Sequence, residues 1–514
     1  MKLPETYAEA RQTAFSEEGA KYPGKALVRM MLEPGFNRAK NRFLPYIRTI
    51  NEAHLIMLAE QGIVSAPDAK RIMTALQAVD DNAYKDSVYT GEWEDLYFQM
   101  ENEIIRATDG IGGNLHLARS RNDMCCTWAH MEVRDELLRL IERLVEFQNT
   151  VRLFADEHKD TLYVVHTHTQ HAQPGLLGHY FLGMADVVNR NVQRLQRAYE
   201  ATNVSPMGAA AITTSGFPVS RERVAELSGF SAPIENSYDA IGNIDYFAET
   251  AAAIGLCALD LGRVVTDLVA WATDELAMIR VADGYISTSS IMPQKRNPIA
   301  LEHLRASLSV VKGLADAVQT GYLKSPYGDI SDREDVEDTL ASAFELLDKN
   351  LQLFNAVLST LSVDRELLNR RARESFSVVT EIADEMVRSY RIPFRKAHHF
   401  VALLVRRADE KKYNLLNVSR DFFAEVYREA FGEEFTFDFA PIRKAMDPEH
   451  FVASRDVLGG TGPTAMAAML DNAKEKVAFN ASWLNKATEA LQISDEKRAA
   501  AVKKLLVLTC NNIL

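Results

Sequence analysis

The sequence predicts an all-α protein built around a bundle of long helices, and three observations support this prediction. Residues 130–156 repeat apolar side chains at i, i+3 and i+4, the spacing of one helix face. No proline occurs between residues 235 and 292, and residues 243–280 are apolar on nearly every side, as in a helix covered by its neighbours. A second proline-free span covers residues 327–392, whereas alternating strand-like patterns are short and scarce.

Helices this long and this apolar predict that several copies of the chain bundle together, because a compact monomer would leave their faces uncovered. Weaker cues place the domain boundaries at the glycine-rich residues 111–116 and the polar residues 361–377. After the second cue we expect shorter helices, broken by Pro393, Gly432, Pro441 and Pro448. The predicted domains are an N-terminal helical domain (1–119), a central helical-bundle domain (120–370) and a C-terminal helical domain (371–514).

The composition is that of an ordinary soluble globular protein, with 47% hydrophobic and 25% charged residues among 514. A net charge of −13 argues against a nucleic-acid partner, which would require a basic face. No apolar run approaches the ~18 residues that span a bilayer, and the polar start has no secretory h-region. We therefore expect a cytoplasmic protein without a membrane partner. The four cysteines form no CxxC pair, so we expect reduced thiols.

Four polar segments interrupt the helical pattern, and we call them the first to fourth polar segments. They are residues 116–123 (HLARSRND), 166–174 (HTHTQHAQP), 205–218 (SPMGAAAITTSGFP) and 287–302 (STSSIMPQKRNPIALE). In the first, Ser120 or Asn122 can cap the following helix. Alternatively, Arg121 can bind a carboxylate through two hydrogen bonds while Ser120 and Asn122 add donors. The two interpretations are compatible.

The second polar segment is rich in histidine. It lacks HExxH and has no acidic or cysteine ligand at metal spacing, so we predict no metal site. A histidine beside Thr167 and Gln170 suits proton transfer or hydrogen bonding to an oxyanion, because imidazole titrates near neutrality. Any single one of these histidines is more often structural than catalytic.

The fourth polar segment combines hydroxyls with Lys295 and Asn297. This set can hold the enediolate-like dianion that forms when a proton is removed next to a carboxylate. The alternative is a common surface turn.

The segments resemble those of a known family. SSIMPQKRNPIALE (289–302) is similar to the SSxMPxKxNxxxxE signature of the fumarase/aspartase superfamily at every fixed position. Four further stretches resemble argininosuccinate lyases in the same order along the chain, so the resemblance covers roughly residues 90–465. They are HLARSRND, THTQHAQP, residues 205–240, and FSVVTEIADEMVRSYRIPFRKAHH with ASRDVLGGTGP.

The resemblance implies a three-domain fumarase/aspartase-type fold and a homotetramer whose active sites are each built from three subunits. It also implies the reaction, an anti β-elimination in which an N-substituted aspartate loses its nitrogen to give fumarate and a free amine. The implied ligands are therefore small molecules, an N-substituted aspartate and fumarate, and no cofactor is implied.

The resemblance also implies roles for individual residues. Ser289 is the expected general base, and Lys295 and Asn297 are expected to bind the carboxylate that becomes the aci-anion. His168 is the candidate proton donor or orienting group, with Glu302 as its carboxylate partner. The residues expected to bind the substrate are Ser120, Arg121, Asn122, Thr167, Gln170, Ser290, Asn297 and Tyr327.

The sequence departs from the family mainly where the amine would bind. Thr288 replaces a glycine, and Leu44 and Ile47 occupy the region of a usual Ser-x-x-x-Asp pair. Residues 327–334 lose a usual glutamine and lysine, and Ile299 replaces an aspartate.

The residues expected to act on the fumarate-forming part of the substrate are therefore retained, and those expected to bind the leaving amine are changed. This leaves argininosuccinate and aminopolycarboxylates, such as ethylenediamine disuccinate or iminodisuccinate, as alternative substrates. A crystallin-like structural protein without activity is a further alternative, while the GGTGP and RIPFRKAHH segments disfavour fumarate hydration and adenylosuccinate cleavage.

Overall fold

The computed structural model describes residues 4–329 and 331–507. Twenty-one α-helices dominate this part of the chain, as predicted for an all-α protein. In the N-terminal region they are α1 Tyr7–Glu18, α2 Lys25–Leu27, α3 Glu33–Arg38, α4 Leu44–Glu60, α5 Ala66–Ala78, α6 Asp81–Lys85 and α7 Leu96–Ala107. The middle contains α8 Arg121–Glu157, α9 Leu177–Thr202, α10 Arg221–Leu227, α11 Ser237–Gly242, α12 Asp245–Trp271, α13 Ile299–Gly321 and α14 Asp332–Thr360. The last part contains α15 Arg365–Glu374, α16 Val379–Tyr390, α17 Phe394–Glu410, α18 Arg420–Phe431, α19 Ala440–Ala445, α20 Pro448–Ala453 and α21 Pro463–Val507.

Within the described residues the strands are short and form two antiparallel pairs. The first pair is β1 (Leu162–Thr167) with β2 (Gln170–Leu176), in which Leu162 lies opposite Leu176. The second is β3 (Ile279–Arg280) with β4 (Ser362–Val363). The second pair interrupts the proline-free span 327–392, which is therefore several helices with a strand between them.

The core of the molecule is a bundle of α8, α9, α12, α13 and α14, which pack against one another along their lengths. Helix α8 begins at Arg121 and continues for 37 residues, and its N-cap residue Ser120 forms a capping box with Asp123. At 1.5 Å per residue this helix is about 55 Å long. It therefore separates the residues at its two ends by most of the length of the bundle.

Apolar side chains are exposed on the surfaces of the bundle helices α12 and α13. Leu259 of α12 is 50% exposed and Val310 of α13 is 54% exposed, and Leu256 lies one turn from Leu259. The sequence predicted that α12 would be covered on nearly every side. In a single chain one face remains open, which is consistent with the predicted association of copies.

The C-terminal region begins with the short helices predicted from the sequence. Pro393 and Gly432 lie at the caps of α17 and α18, and Pro441 and Pro448 lie in the first turns of α19 and α20. The sequence analysis did not predict that a 45-residue helix, α21, would follow them. This helix returns along α8 and α9 to α4 and α5, so the C-terminal part of the chain contacts both preceding regions.

A cluster of buried amides fixes the position of α21. The Nδ2 group of Asn480 donates to the Oε1 atom of Gln148 on α8 and to the Oδ1 atom of Asn189 on α9, both at 2.9 Å. A shift of α21 along the bundle would leave these buried amides unpaired, at a cost of about 1–3 kcal/mol each. Among the described helices, none is long and apolar enough to cross a membrane.

Candidate active site

The second polar segment forms the tip of the β1–β2 hairpin. Thr167 pairs with Gln170, so His168 and Thr169 are the two turn residues, and both have positive φ, at 50° and 61°. Two-residue turns of this kind usually contain asparagine and glycine, and a β-branched threonine at positive φ is strained. Strained backbone of this type is concentrated at functional sites. The hairpin exposes the His168 side chain at its tip.

The fourth polar segment forms a loop closed by Ser287 and Asn297. The two residues exchange backbone hydrogen bonds of 3.0 and 2.9 Å, and the Asn297 amide also donates to the Ser287 hydroxyl at 3.3 Å. Within the loop, the Ser289 Oγ atom accepts N–H bonds from Ile291 and Met292, at 3.3 and 3.1 Å. Two N–H donors directed at one hydroxyl oxygen stabilise negative charge on that oxygen.

The two adjacent cations of this loop have different surroundings. Arg296 anchors the base of the loop by donating to the Val281 carbonyl at 3.1 Å and pairing with Asp283 at 2.5 Å. Lys295 is exposed, and no ion pair joins it to another described residue. Lys295 is therefore the cation of the loop that is available to a ligand.

The first polar segment is connected to the third through Asp123. Its Oδ1 atom accepts the Ser120 N–H at 2.8 Å, and its Oδ2 atom accepts the N–H groups of Gly208 and Ala210, both at 2.9 Å. Burial raises the pKa of the Asp123 carboxyl, and these three backbone donors oppose that shift. From the sequence, Asp123 is only the last residue of the first polar segment. In the structure it joins the first and third polar segments.

Arg121 is already paired within its own chain. Its guanidinium donates to Asp95 at 2.7 Å and to Glu94 at 3.0 Å, and it lies over the Phe98 ring. The sequence predicted that Arg121 would bind a substrate carboxylate. In this conformation the N–H groups of its guanidinium donate to two carboxylates of the protein. The structure therefore shows partners different from the predicted substrate carboxylate.

A cavity of about 320 Å³ lies beside the first polar segment, and we call it the N-terminal cavity. Helical turns of π type at residues 28–32 and 39–43 interrupt the helix that leads into α4, and such bulges are frequent at functional sites. Ile47 lines the cavity and Leu44 does not, and both side chains are buried in the core. The lining residues include Met31, Gly35, Arg38, Ala39, Phe43, Ile47, Glu94, Asp95, Tyr97, Arg121, Asn122, Cys125, Trp128, Asp329, Ser331, Arg333, Glu334 and Glu337.

The polar segments lie at opposite ends of the bundle. Ser120 precedes α8, and the hairpin follows the end of α8, about 55 Å away, whereas the six-residue strand β1 can reach only about 20 Å. Helix α12, about 40 Å long, runs beside α8 to the hairpin, since Tyr246 stacks on His130 in the first third of α8 and Trp271 contacts Tyr163 of the hairpin. The loop of the fourth segment follows Trp271, so it lies at the hairpin end.

Comparisons with known proteins agree with these features. A model of the lyase family matches residues 50–313, and a model described as argininosuccinate lyase C-terminal matches residues 376–453. Argininosuccinate lyase 2 of Agrobacterium fabrum is 37% identical over 87% of this chain and 89% of its own length. Argininosuccinate lyase of Methanococcoides burtonii is 32% identical over 89% of this chain and 90% of its own length.

The chain belongs to the argininosuccinate lyase-like branch of the fumarase/aspartase superfamily. The solved structure of EDDS lyase in complex with formate superimposes with a TM-score of 0.81 at 29% identity, covering 91% of this chain and 92% of that one. A class II fumarase from Schistosoma mansoni has a TM-score of 0.63 at 17% identity, covering 79% and 90%, which shows the shared fold. The protein is a fumarate-releasing carbon–nitrogen lyase with the all-α fold of this superfamily.

Several residues expected from this family have local partners in the structure. Tyr327 donates its hydroxyl to Asp239 at 2.8 Å and stacks on Tyr238, with ring centroids 5.3 Å apart. Glu302 is exposed in the first turn of α13, and no hydrogen bond between described residues joins it to His168. Of the changed segment 327–334, Ile330 lies outside the described residues.

Sequence analysis did not predict the cluster of Arg38, Arg333 and Glu337 that lines the N-terminal cavity. Arg333 and Glu337 pair at i, i+4 on α14, with 3.1 Å between Nε and Oε1, and Arg38 reaches the same carboxylate from α3. The spacing of the first pair could have been recognised in the sequence. The contribution of Arg38 could not, because it depends on tertiary packing.

Proposed function

We propose that the lyase is a homotetramer and that each active site joins polar segments from different subunits. The observation that carries this proposal is the length of α8, which keeps Ser120 far from the hairpin tip and from the Ser289 loop within one chain. The exposed apolar residues on α12 and α13 offer faces for the association. A bundle of antiparallel copies would bring opposite ends of neighbouring chains together.

In the proposed reaction, Ser289 removes the C3 proton of the succinyl group as an alkoxide. The electron pair moves toward the adjacent carboxylate, and Lys295 and Asn297 bind the resulting aci-anion. The electrons then return to form the C2–C3 double bond as the C–N bond breaks, which gives fumarate. The nitrogen leaves with a proton, for which His168 is the proposed donor or orienting group with Glu302 as its partner.

The other predicted binding residues keep their proposed roles at the succinyl group. Ser120 and Asn122 lie at the start of α8, where backbone N–H groups favour an anion. Thr167, Gln170 and Ser290 are exposed at the hairpin and the loop. Arg121 and Tyr327 bind substrate only if their present carboxylate partners are released or if the substrate binds alongside them. We propose that the enzyme acts in the cytoplasm.

We further propose that the leaving group is not arginine. Three arginines line the N-terminal cavity, and Glu94 and Asp95 are already paired with one of them, Arg121. The cavity also contains Glu334 and Glu337, which are paired with Arg38, so a guanidinium leaving group would have to compete with the protein's own arginines for these carboxylates. It would also lie against the apolar side chains of Phe43, Ile47 and Trp128. A buried arginine that lost its carboxylate partner to the ligand would be unpaired, at a cost of several kcal/mol. An aminopolycarboxylate, such as ethylenediamine disuccinate or iminodisuccinate, avoids this cost.

Argininosuccinate remains the second candidate, because the relative from Agrobacterium fabrum is 37% identical. The experiment offers argininosuccinate, iminodisuccinate, ethylenediamine disuccinate and adenylosuccinate in parallel and follows fumarate by its ultraviolet absorbance. We expect fumarate from the aminopolycarboxylates and at least about 100-fold slower release from argininosuccinate. Rapid release from argininosuccinate would contradict the proposed leaving group, and no release from any of the four would show that the leaving amine lies outside this set.

A further inference from the structure

A buried tyrosine hydroxyl contacts the first polar segment from α7. Tyr97 is 2% exposed and lines the N-terminal cavity. Its hydroxyl donates to the Oε1 atom of Glu101, one turn further along α7, at 3.0 Å. It also lies 2.9 Å from the Nδ1 atom of His116 and accepts from the Nη2 atom of Arg119 at 3.0 Å. One hydroxyl therefore makes three hydrogen bonds, two of them to the first polar segment.

The hydrogen-bonding capacity of the hydroxyl matches these three partners. A tyrosine hydroxyl has one proton to donate, and here the Glu101 carboxylate accepts it while the Arg119 guanidinium donates to the oxygen. The Nδ1 atom of His116 must then carry a proton, which it shares with the Oε1 atom of Glu101 at 3.0 Å. Burial raises the pKa of Glu101, but the hydrogen bonds from His116 and Tyr97 outweigh it and lower the pKa overall. Every partner of the hydroxyl therefore has a fixed role.

The position of the Arg119 guanidinium depends on this hydroxyl. Arg119 is 6% exposed, and its Nε and Nη1 atoms are buried without an acceptor among the described residues. Its Cζ atom lies 5.8 Å from the centre of the Tyr97 ring, so the same side chain supplies both an acceptor and an aromatic face. A buried guanidinium with few acceptors is costly to leave unpaired, so loss of this one hydrogen bond should displace it.

The backbone beside Arg119 is strained and is held from both sides. Ala118 has a φ of 60°, which an alanine keeps only where the surrounding structure enforces it. On one side the Nε2 atom of His54 lies 2.9 Å from the Leu117 carbonyl. Burial lowers the pKa of His54 to about 3, so its ring is neutral and donates from Nε2. On the other side the backbone is held through Arg119 and the Tyr97 hydroxyl.

The residue after Arg119 begins the proposed binding site for the succinyl group. Ser120 is the N-cap of α8, and Asn122 lies in the first turn of that helix. A displaced Arg119 would therefore change the backbone that presents these two side chains. A misplacement of about 1 Å at a binding residue is enough to weaken the binding of a ligand.

We propose, on the basis of the function proposed above, that Tyr97 is a positioning residue for this binding site. Its hydroxyl holds Arg119, and Arg119 holds the backbone that places Ser120 and Asn122 against the succinyl group. The Tyr97 hydroxyl thus acts on the ligand through other residues. Its loss should weaken binding of the succinyl group and leave the proton transfers unchanged.

The experiment measures the affinity of the intact enzyme for fumarate by isothermal titration calorimetry. Fumarate is the probe because it contains the carbons of the succinyl group, whichever amine leaves. Tyr97→Phe keeps the ring that lines the cavity and removes only the hydroxyl. We expect Kd for fumarate to rise roughly 10-fold, the effect of one hydrogen bond to a charged group. With ethylenediamine disuccinate we expect KM to rise by a similar factor while kcat changes less than about threefold.

Tyr46→Phe is the matched control. The Tyr46 hydroxyl also donates to a carboxylate, that of Asp135 at 3.1 Å, but Tyr46 is not among the residues that line the N-terminal cavity. This variant should leave Kd and KM unchanged within about twofold. Thermal denaturation of both variants shows whether they lose similar stability, in which case a difference in affinity is not a result of unfolding.

Arg119→Met distinguishes an indirect role from direct contact between the Tyr97 hydroxyl and the ligand. Methionine has a similar length and no donors, and an apolar residue in place of a buried charge is often tolerated. If the hydroxyl acts through Arg119, Tyr97→Phe should change Kd less than about threefold when it is added to Arg119→Met. If Arg119→Met does not fold, the comparison of Tyr97→Phe with Tyr46→Phe decides.

Two groups of results would overturn the inference in distinguishable ways. Unchanged Kd and KM in Tyr97→Phe, equal losses in Tyr97→Phe and Tyr46→Phe, or an undiminished effect of Tyr97→Phe in the Arg119→Met background would overturn the positioning role and leave fumarate release intact. Failure of the unaltered enzyme to bind fumarate, together with no fumarate release from any N-substituted aspartate, would overturn the proposed function and this inference with it.

Discussion

Replacing Ser289 with alanine is expected to lower kcat for fumarate release by about 10²–10⁴-fold, the usual contribution of a general base. In the structure the Ser289 hydroxyl accepts two backbone N–H bonds, from Ile291 and Met292, that favour its ionised form. The substitution removes one oxygen atom from an exposed loop, so the stability of the fold should not change. The measurement is the initial rate of fumarate release at saturating substrate.

Thr288→Ala is the matched control, because Thr288 is the preceding loop residue and has an exposed side chain. It should retain activity within about threefold, since it removes a hydroxyl that has no proposed chemical role. Retention of full activity in Ser289→Ala would show that another group removes the proton. An equal loss in both variants would show that the loop conformation, rather than the Ser289 oxygen, limits the rate.

The second large effect is expected for Lys295→Gln, with a loss of about 10²–10³-fold in kcat, as for removal of one oxyanion-binding contact. Lys295 is exposed on the same loop, whereas Arg296 is held by Val281 and Asp283. If Lys295 binds the aci-anion more strongly than the ground-state carboxylate, the loss appears in kcat more than in KM. Steady-state kinetics with the best substrate measure this division.

Lys474→Gln, at an exposed position of α21, removes the same charge outside the loop. It should leave both kinetic constants unchanged within error. A Lys295→Gln enzyme with a raised KM and an unaltered kcat would contradict the proposed role, because that pattern indicates equal binding of substrate and transition state.

The helices of the bundle could be predicted because their signals are local. The apolar spacing of residues 130–156 predicted α8, and the proline-free apolar residues 243–280 predicted α12. Their ends are also encoded locally, since Ser120 and Asp123 form a capping box at the start of α8. The composition of the fourth polar segment likewise indicated an anion-binding loop, and the structure closes that loop through Ser287 and Asn297.

The features that sequence reasoning missed depend on residues far apart in the chain. The contact between Asn480 and Gln148 joins residues 332 positions apart, so no local pattern predicted where α21 would lie. The pairing of Arg121 with Asp95 and the shared use of Glu337 by Arg38 and Arg333 also arise only when helices pack. The roles of the site residues and the domain boundaries at 119 and 370 remain predictions.

The central claim is that one active site requires residues from opposite ends of different chains. Asn122 lies at the start of α8, and Ser289 lies at the end of the bundle reached by the hairpin, so a single subunit cannot bring them together. A chain with Asn122→Ala and a chain with Ser289→Ala are each expected to be inactive alone. When the two assemble together, some sites take both intact residues from different subunits.

The measurement is fumarate release by mixed oligomers made by co-expressing the two variants with different affinity tags and purifying through both tags. At equal proportions about a quarter of the sites would contain both intact residues, so we predict recovery of about a quarter of the unaltered activity. Mixed oligomers that remain as inactive as either variant alone would contradict the claim, because a site contained within one chain cannot be restored by its partner.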